Sequence, residues 1–320
     1  MKSILGIDIA KKSFAATLIK PSGEPRHRPF ENNQSGYEQL QQWLVKQGVQ
    51  QLHACMEATN IYWEELAQYL VGQDYQVSVV NPAQIKGFAQ SQLQRNKTDK
   101  QDSQVIAIFC AQTEPKLWQP PTESQRQLRA WVRHRDGLLK TRTQQLNRLD
   151  SCADELVKAS LQSLVRALDE QIAQIEAQLE ALIEQNAELQ AAYLLLLSIK
   201  GFGPATAIKL LAEFYDLAAY SSARSAAADA GLTPAHHESG TSVRKRPRMS
   251  KIGKASVRGA LYWPAITAIC HNPVVKALAD RLRARGKAKK VIRGAAMRKL
   301  LHLAYGVLKN QIPFDPAYAH

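Results

Sequence analysis

Sulfur is sparse in this chain, and long apolar runs are missing from it. Its four cysteines, Cys55, Cys110, Cys152 and Cys270, lie far apart and form no CxxC pair. That excludes a disulfide framework and a thiolate zinc site, and leaves reduced, mostly buried thiols as the expectation. No apolar run approaches the ~18 residues of a membrane-spanning helix. The start, Met1 to Asp8, meets an acid too early for a secretory signal, so a soluble, cytoplasmic protein is expected. Proline is absent from Thr122 to Ala192, where Gly137 is the lone glycine, which suits long uninterrupted helices. Acid is scarce in one half. From Ile199 to the end 21 Lys+Arg stand against 6 Asp+Glu, leaving 21 against 22 for residues 1–198. All the excess of the +14 net charge therefore lies in the C-terminal part, interleaved with helix-forming apolar residues. A basic region of that size points to a polyanion, above all nucleic acid.

What is present suffices for two or three cores, since 45% of the 320 residues are apolar. Ser3 to Ile9 reads as a strand with Asp8 inside it, and Phe14 to Ile19 as a second strand closed by a Pro-Ser-Gly turn. Ser35 and Glu38 have capping-box spacing and would open a helix through Leu40, Trp43 and Leu44. Leu52 to Glu57 is a buried strand ending on an acid, after which Asn60 would start a helix from Ile61 to Leu70. Tyr75 to Val80 is a further strand, stopped by Asn81-Pro82, and a short helix follows near Ile85 to Ala89. Strands alternating with helices make an α/β layer with a central sheet.

Thr98 or Asp99 can cap a helix through Val105, Ile106, Ile108 and Phe109, placing Asp99 and Asp102 three apart on one face. Paired carboxylates repel unless a cation sits between them, which suggests a hard metal ion with oxygen ligands; taken alone, such a pair in a first helical turn is more often solvated or complementing the helix dipole. Asp8 and Glu57 weigh on the metal side. An acid inside an apolar strand is costly unless something neutralises it, and ligands of α/β sheets collect near strand ends. Two divalent ions held by Asp8, Glu57, Asp99 and Asp102 could activate a nucleophile and stabilise a leaving oxygen in phosphodiester chemistry.

Pro115 to Pro121 reads as a linker. Beyond it Val165, Leu168, Ile172, Ile175, Leu179, Leu182 and Leu189 fall at alternating spacings of three and four, with Asn186 in the remaining seam position. This heptad seam with a polar register-setter favours pairing with a second subunit, although hairpins within one chain use such seams too. Gly201 and Gly203, between two helical runs, form either a phosphate-facing helix-hairpin turn or an ordinary tight turn. His236 to Val243 is small, polar and expected to be flexible. Ser239 in it could approach a phosphate as a nucleophile, or be loop filler. The adjacent His236 and His237 point apart, so zinc is not indicated. Arg244, Lys245, Arg246, Arg248, Lys251, Lys254, Arg258, Arg293, Arg298 and Lys299 should contact backbone phosphates, adding affinity without reading sequence. Tyr262 and Trp263 recur at helical spacing with Leu261 and Ile266, and are expected in the core rather than as base-stacking platforms.

Taken together, Gly6 to Lys11, Met56 to Thr59, Val80 to Pro82, Arg95 to Asp102, Gly231 to Pro234 and Glu238 to Gly240 resemble, in order and spacing, the DEDD transposases of bacterial insertion sequences, the insertion-sequence one-hundred-ten group. The resemblance runs from about residue 3 to Pro316. It implies a RuvC-like, ribonuclease-H-type domain at residues 1–121, a coiled-coil dimerisation insert at 122–193 and an all-helical, basic transposase domain at 194–320. It implies that Asp8, Glu57, Asp99 and Asp102 bind Mg²⁺, in a two-ion site, and that Ser239 attacks a DNA phosphate and becomes transiently linked to it. Asn96 and Lys97 of the same motif would contact nucleic acid. The implied partners are donor and target DNA, a structured bridge RNA that base-pairs with both, and further copies of the chain as a dimer and a synaptic tetramer, in a bacterial, nucleoid-associated setting. The residues leave two other readings: a RuvC-like nuclease in which water attacks, and a non-catalytic nucleic-acid-binding protein. Gly6 to Lys11 also suggests a sugar-kinase or actin-like ATPase, but no later glycine-rich phosphate loop accompanies it.

Overall fold

The computed structural model describes residues 2–21, 23–92, 98–239 and 243–317, with the side chains of 236–239 and 243–247 outside that description. Two compact units fall at Met1–Pro120 and Pro121–His320.

In the first unit β1 (Ser3–Ile9), β2 (Ser13–Ile19), β3 (Arg26–Glu31), β4 (Leu52–Glu57) and β5 (Gln76–Val80) form one sheet in the order β3-β2-β1-β4-β5. β1, β2 and β3 pair antiparallel, while β1, β4 and β5 run parallel. Helices α1 (Gln34–Lys46) and α2 (Glu64–Gly72) cover one face, and α3 (Pro82–Ser91) and α4 (Asp99–Thr113) the other. Strand alternation decides which residue meets which layer. Leu5, Ile7 and Ile9 of β1 and Leu52, Ala54 and Met56 of β4 enter the α1/α2 core, whereas Ile4 and Cys55 enter the α3/α4 core. Leu5 and Ile7 are fully buried, each worth about 1.5–3 kcal/mol relative to exposure.

Several boundaries differ from those the sequence suggests. The cap of α1 is Asn33, which accepts from the Gly36 amide at 2.9 Å, rather than Ser35. Asn60 takes a left-handed conformation (φ 53°) in a turn, so α2 begins at Glu64 rather than Ile61. β3 has no counterpart in the sequence reading, because an exposed edge strand containing Pro29 and three basic residues carries no apolar alternation.

In the second unit α5 (Glu123–Asp150) and α6 (Glu155–Gln185) are joined by a short turn and pack along each other, with Arg142 paired to Asp169 across them. Val165, Ile172 and Leu179 of the seam are buried, together with Leu161 and Ile183. The seam is thus met by α5 within the chain, the hairpin packing that such a seam also permits; closing a short loop onto an adjacent helix costs little entropy. Asn186 is not a seam residue. It ends α6 and caps α7 (Ala187–Leu197), accepting from the Leu189 amide at 3.0 Å and donating to Ser124 Oγ at 3.2 Å.

There follow α8 (Pro204–Phe214), α9 (Ala223–Asp229), an antiparallel hairpin of β6 (Pro234–Ser239) and β7 (Val243–Met249), α10 (Ala255–His271), α11 (Pro273–Ala284) and α12 (Lys289–Asn310). The hairpin corrects the expectation of an all-helical segment; of the stretch expected to be flexible at 236–243, residues 240–242 lie outside the described residues. Its polar, basic sequence lacks the apolar alternation that marks a strand. Leu128 and Leu179 of the long helices share one core with Leu261, Ala265, Leu300 and Leu301, so 122–193 and 194–320 stand within the same compact unit. Of the cysteines, Cys55 and Cys110 are buried, but Cys152 is half-buried and Cys270 exposed. Among the described residues no helix is long and apolar enough to cross a membrane.

Candidate catalytic site and nucleic-acid surface

The parallel register of β1 and β4 pairs Gly6 with Cys55 and Ile7 with Met56. One step further it brings Asp8 beside Glu57, at the C-terminal ends of neighbouring strands. Both acids alternate with Gly6 and Cys55, so both fall on the face covered by α4. Each is half-buried. Thr59 Oγ1 donates to Glu57 Oε1 at 2.7 Å, and the Ala58 amide donates to the Val80 carbonyl at 2.9 Å, fixing the strand end.

The other two acids ride on α4. Thr98 caps it, accepting from the Gln101 amide at 3.2 Å, and Asp99 and Asp102 occupy its first turn. Ser103, next to Asp102, is buried; its hydroxyl donates to the Lys100 carbonyl at 3.0 Å and shares a 2.8 Å hydrogen bond with Thr17 Oγ1. Thr17 in turn meets His27 Nδ1 at 3.2 Å. Burial, and then the charge of Lys100, hold the His27 imidazole below its ordinary range, against an opposite pull from Asp99. The N-terminal part of α4 is thus tied to β2. Further along the helix Cys110 shares a hydrogen bond with Cys55, which pushes the Cys55 thiol up.

The four carboxylates thus form two pairs on one layer. Among the described residues no group of three or more His, Cys, Asp or Glu side chains stands close enough to hold a metal ion. The convergence of all four on one ready-made cluster, expected from the sequence, is not present among the described residues: Asp99 and Asp102 stand on the first turn of α4, while Asp8 and Glu57 sit at the β1–β4 seam. The donor chemistry nevertheless fits Mg²⁺. All four are hard oxygen ligands, and Mg²⁺ is commonly bound by one or two carboxylates, with waters and substrate phosphates completing the octahedron.

Ser239 ends β6, opposite Val243. Its hairpin stands on a firmly built foot. Ser250 N donates to Thr233 O at 2.8 Å, and Gly253, at φ 125°, packs so tightly that a Cβ there would lie 2.0 Å from Asp229 O. Lys254 pairs with Asp229, donates to Tyr220 Oη at 3.2 Å, and lies over the Phe214 ring. Arg258 donates to Ala230 O at 3.0 Å and Gly253 O at 3.3 Å. Lys254 and Arg258, expected to contact phosphates, serve the scaffold: their heads satisfy carbonyls and a carboxylate in the turns that bear the hairpin.

The remaining predicted contacts divide in the same way. Arg248 and Lys251 are exposed beside the hairpin foot. Arg244, Lys245 and Arg246 lie on β7, with side chains outside the described part, and Asn96 and Lys97 lie outside the described residues altogether. Arg298 and Lys299 are half-buried on α12, where burial and nearby Arg281 lower the Lys299 pKa. Arg298 Nε reaches His302 Nε2 at 3.5 Å. Gly201 has a packing reason of its own. At φ 108° it lies against α10, where a Cβ would stand 2.9 Å from the Ala268 Cβ, and Asn272 Nδ2 donates to the neighbouring Lys200 carbonyl at 3.0 Å. Gly203 caps α8, and Pro204 at the first helical position offers no N–H to a phosphate.

Sequence reasoning also misplaced two aromatics. Trp263 is 72% and Tyr262 36% exposed, rather than in the core. The buried stripe of α10 is Val257, Leu261, Ala265 and Ala268; reading that stripe as the helical face would have left 262 and 263 on the outside.

A family profile described as Transposase, of the DEDD IS110 type, matches residues 5–158, and one described as Transposase IS116/IS110/IS902 family matches 193–280. The chain is 36% identical over 321 residues to the pilin gene-inverting proteins of Moraxella bovis and Moraxella lacunata, covering 98% of each chain. It is 26% identical over 269 residues to the transposase for insertion sequence element IS1111A of Coxiella burnetii, covering 74% of this chain and 70% of the relative.

Proposed function

The chain belongs to the IS110 family of transposases, and we propose that it cuts and rejoins donor and target DNA through a covalent phosphoserine intermediate, with Mg²⁺ held by Asp8, Glu57, Asp99 and Asp102 once substrate phosphate and waters complete its coordination. The observation that carries the reading is the placement of Asp8 and Glu57 at adjacent parallel strand ends, on the face where α4 brings Asp99 and Asp102. Mg²⁺ bound there would neutralise phosphate charge and stabilise the oxygens that gain it. A RuvC-like, ribonuclease-H-type fold for the first unit belongs to the same proposal, supported by its mixed sheet with helices on both faces.

Ser239 Oγ attacks the phosphorus and loses its proton, while a deoxyribose oxygen leaves and takes up a proton. The new phosphoserine ester retains the bond energy, so the hydroxyl of a second strand can attack it, restore a phosphodiester and free the serine. The Moraxella relatives are named for gene inversion, and inverting a segment requires every cut end to be rejoined. That favours a conserved ester over hydrolysis by water. A bridge RNA that pairs with both DNAs, and assembly as dimers within a synaptic tetramer, belong to the same proposal and rest on family membership.

The metal role is tested with Asp8→Asn and Asp102→Asn, each assayed for DNA strand cleavage across a Mg²⁺ titration and for DNA binding in chelator. Cleavage should be lost with binding retained; cleavage at the unsubstituted rate in both variants would end the metal assignment. RNA dependence is tested by sequencing nucleic acid that copurifies with the protein. One discrete structured RNA is expected, and full activity after its removal would contradict RNA guidance.

A further inference from the structure

Trp263 is unusual on this surface. The core of α10 is complete without it, yet a large apolar ring stands in solvent at residue 263, mostly uncovered. It does not stand alone. Tyr262 packs edge-on against it, with ring centroids 5.4 Å apart and planes at 84°. Arg293 of α12 donates to Tyr262 Oη at 2.7 Å, and its guanidinium lies 5.8 Å from the centre of that ring. A base-sized aromatic is therefore held in place by a second ring, itself fixed by a cation. The surrounding chain is strongly positive: residues 281–299 contain nine Lys+Arg and no acid. The helix that carries Arg293 also meets the hairpin foot, since a Cβ at Gly294 would lie 2.9 Å from Met249 Cε at the end of β7.

We infer that Trp263, braced by Tyr262 and Arg293, is a stacking platform for an unpaired base of the DNA strand brought to Ser239. An indole face open to solvent, on a strongly basic part of the chain, matches a nucleotide, whose base stacks while its phosphate meets the positive charge. An intact duplex offers no free base face, so the platform selects strand that is already unpaired. DNA is the occupant because α12, which braces the platform through Arg293, meets the foot of the hairpin whose far end carries Ser239. In that respect alone the inference rests on the proposed function.

The test uses the full-length protein in chelator, without Mg²⁺, and compares thymidine oligonucleotide, duplex DNA and uridine oligonucleotide by fluorescence anisotropy. Trp263→Ala should weaken binding of the single DNA strand by at least about fivefold and change duplex affinity by less than about twofold, while Trp263→Phe keeps most of the single-strand affinity. Single-strand DNA should also quench tryptophan fluorescence in the parent protein and much less in Trp263→Ala. Unchanged affinity in Trp263→Ala, equal losses for duplex and single strand, or a loss confined to the uridine strand would overturn the inference. So would a change in particle mass on substitution, which would mark the patch as a contact between copies. The measurement is repeated in Ser239→Ala. Stacking should persist there, so failure of the serine reading and failure of the platform are told apart.

Discussion

A Cβ built on Gly6 would stand 2.1 Å from the carbonyl oxygen of Ser103 and 2.3 Å from the amide nitrogen of Ala107. The backbone of α4 thus rests directly on the backbone of β1, two residues from Asp8 and one residue from Asp102. Only glycine allows that approach. It sets the distance between the strand acids and the helix acids. Gly6→Ala is expected to lower the stability of the first unit by about 1–3 kcal/mol or more, since backbone on both sides must move. It should also abolish DNA cleavage even where the fold survives at low temperature. Thermal melting and a cleavage assay check this; an unchanged melting temperature would show that α4 is not seated as described.

Cations in the basic half should separate into two classes. Lys254→Gln leaves Asp229 and Tyr220 without their cation, and should cost about 1–3 kcal/mol of stability. Arg248→Gln and Lys251→Gln, on exposed side chains, should leave the melting temperature within about 1 °C and reduce the slope of log affinity against log salt by about 1 each. Binding isotherms over a salt series, run beside melts, distinguish the two.

His302 gives a pH dependence. Burial, then Arg298, Lys299 and Arg224, push its pKa down from 6.5 to about 4. The unfolded chain therefore takes up a proton at a pH where the folded protein refuses it. Stability from the neutral imidazole is fully present above pH 6.5 and is lost as pH falls toward about 4. His302→Gln should flatten that part of the melting-temperature profile between those values, and a profile unchanged by the substitution would contradict the burial.

Leu179 is fully buried in the core that α6 shares with α5. Leu179→Ala should cost about 2–5 kcal/mol without changing the number of subunits, measured by light scattering with denaturant unfolding. Dissociation of an oligomer on this substitution would restore the seam to an intersubunit role.

What could be read in advance follows from how much each feature depends on local pattern. β1, β4 and β5 were legible because buried strands are short apolar runs, and the α4 cap was legible because Thr98 precedes an apolar helix. Asp8 and Glu57 stood out because acids are expensive in such runs. β3 and the β6–β7 hairpin were not legible, since an exposed edge and a polar two-stranded ribbon need no apolar face. The partner of the α6 seam was undecidable locally, because a heptad names a face and not the helix that meets it. Lys254 and Arg258 look in sequence like their exposed basic neighbours. Only the turns at Asp229, Ala230 and Gly253 reveal that their charges are already answered.

The most direct measurement is the linkage of protein to DNA. The protein is incubated with Mg²⁺, its copurified RNA and cognate donor and target DNA, and the mixture is denatured and resolved by mass. A protein–DNA adduct is expected, mapped by peptide sequencing to Ser239 and absent in Ser239→Ala. The same adduct yield in Ser239→Ala, or free 5′-phosphate ends with no adduct in the parent protein, would contradict serine attack and leave water as the nucleophile.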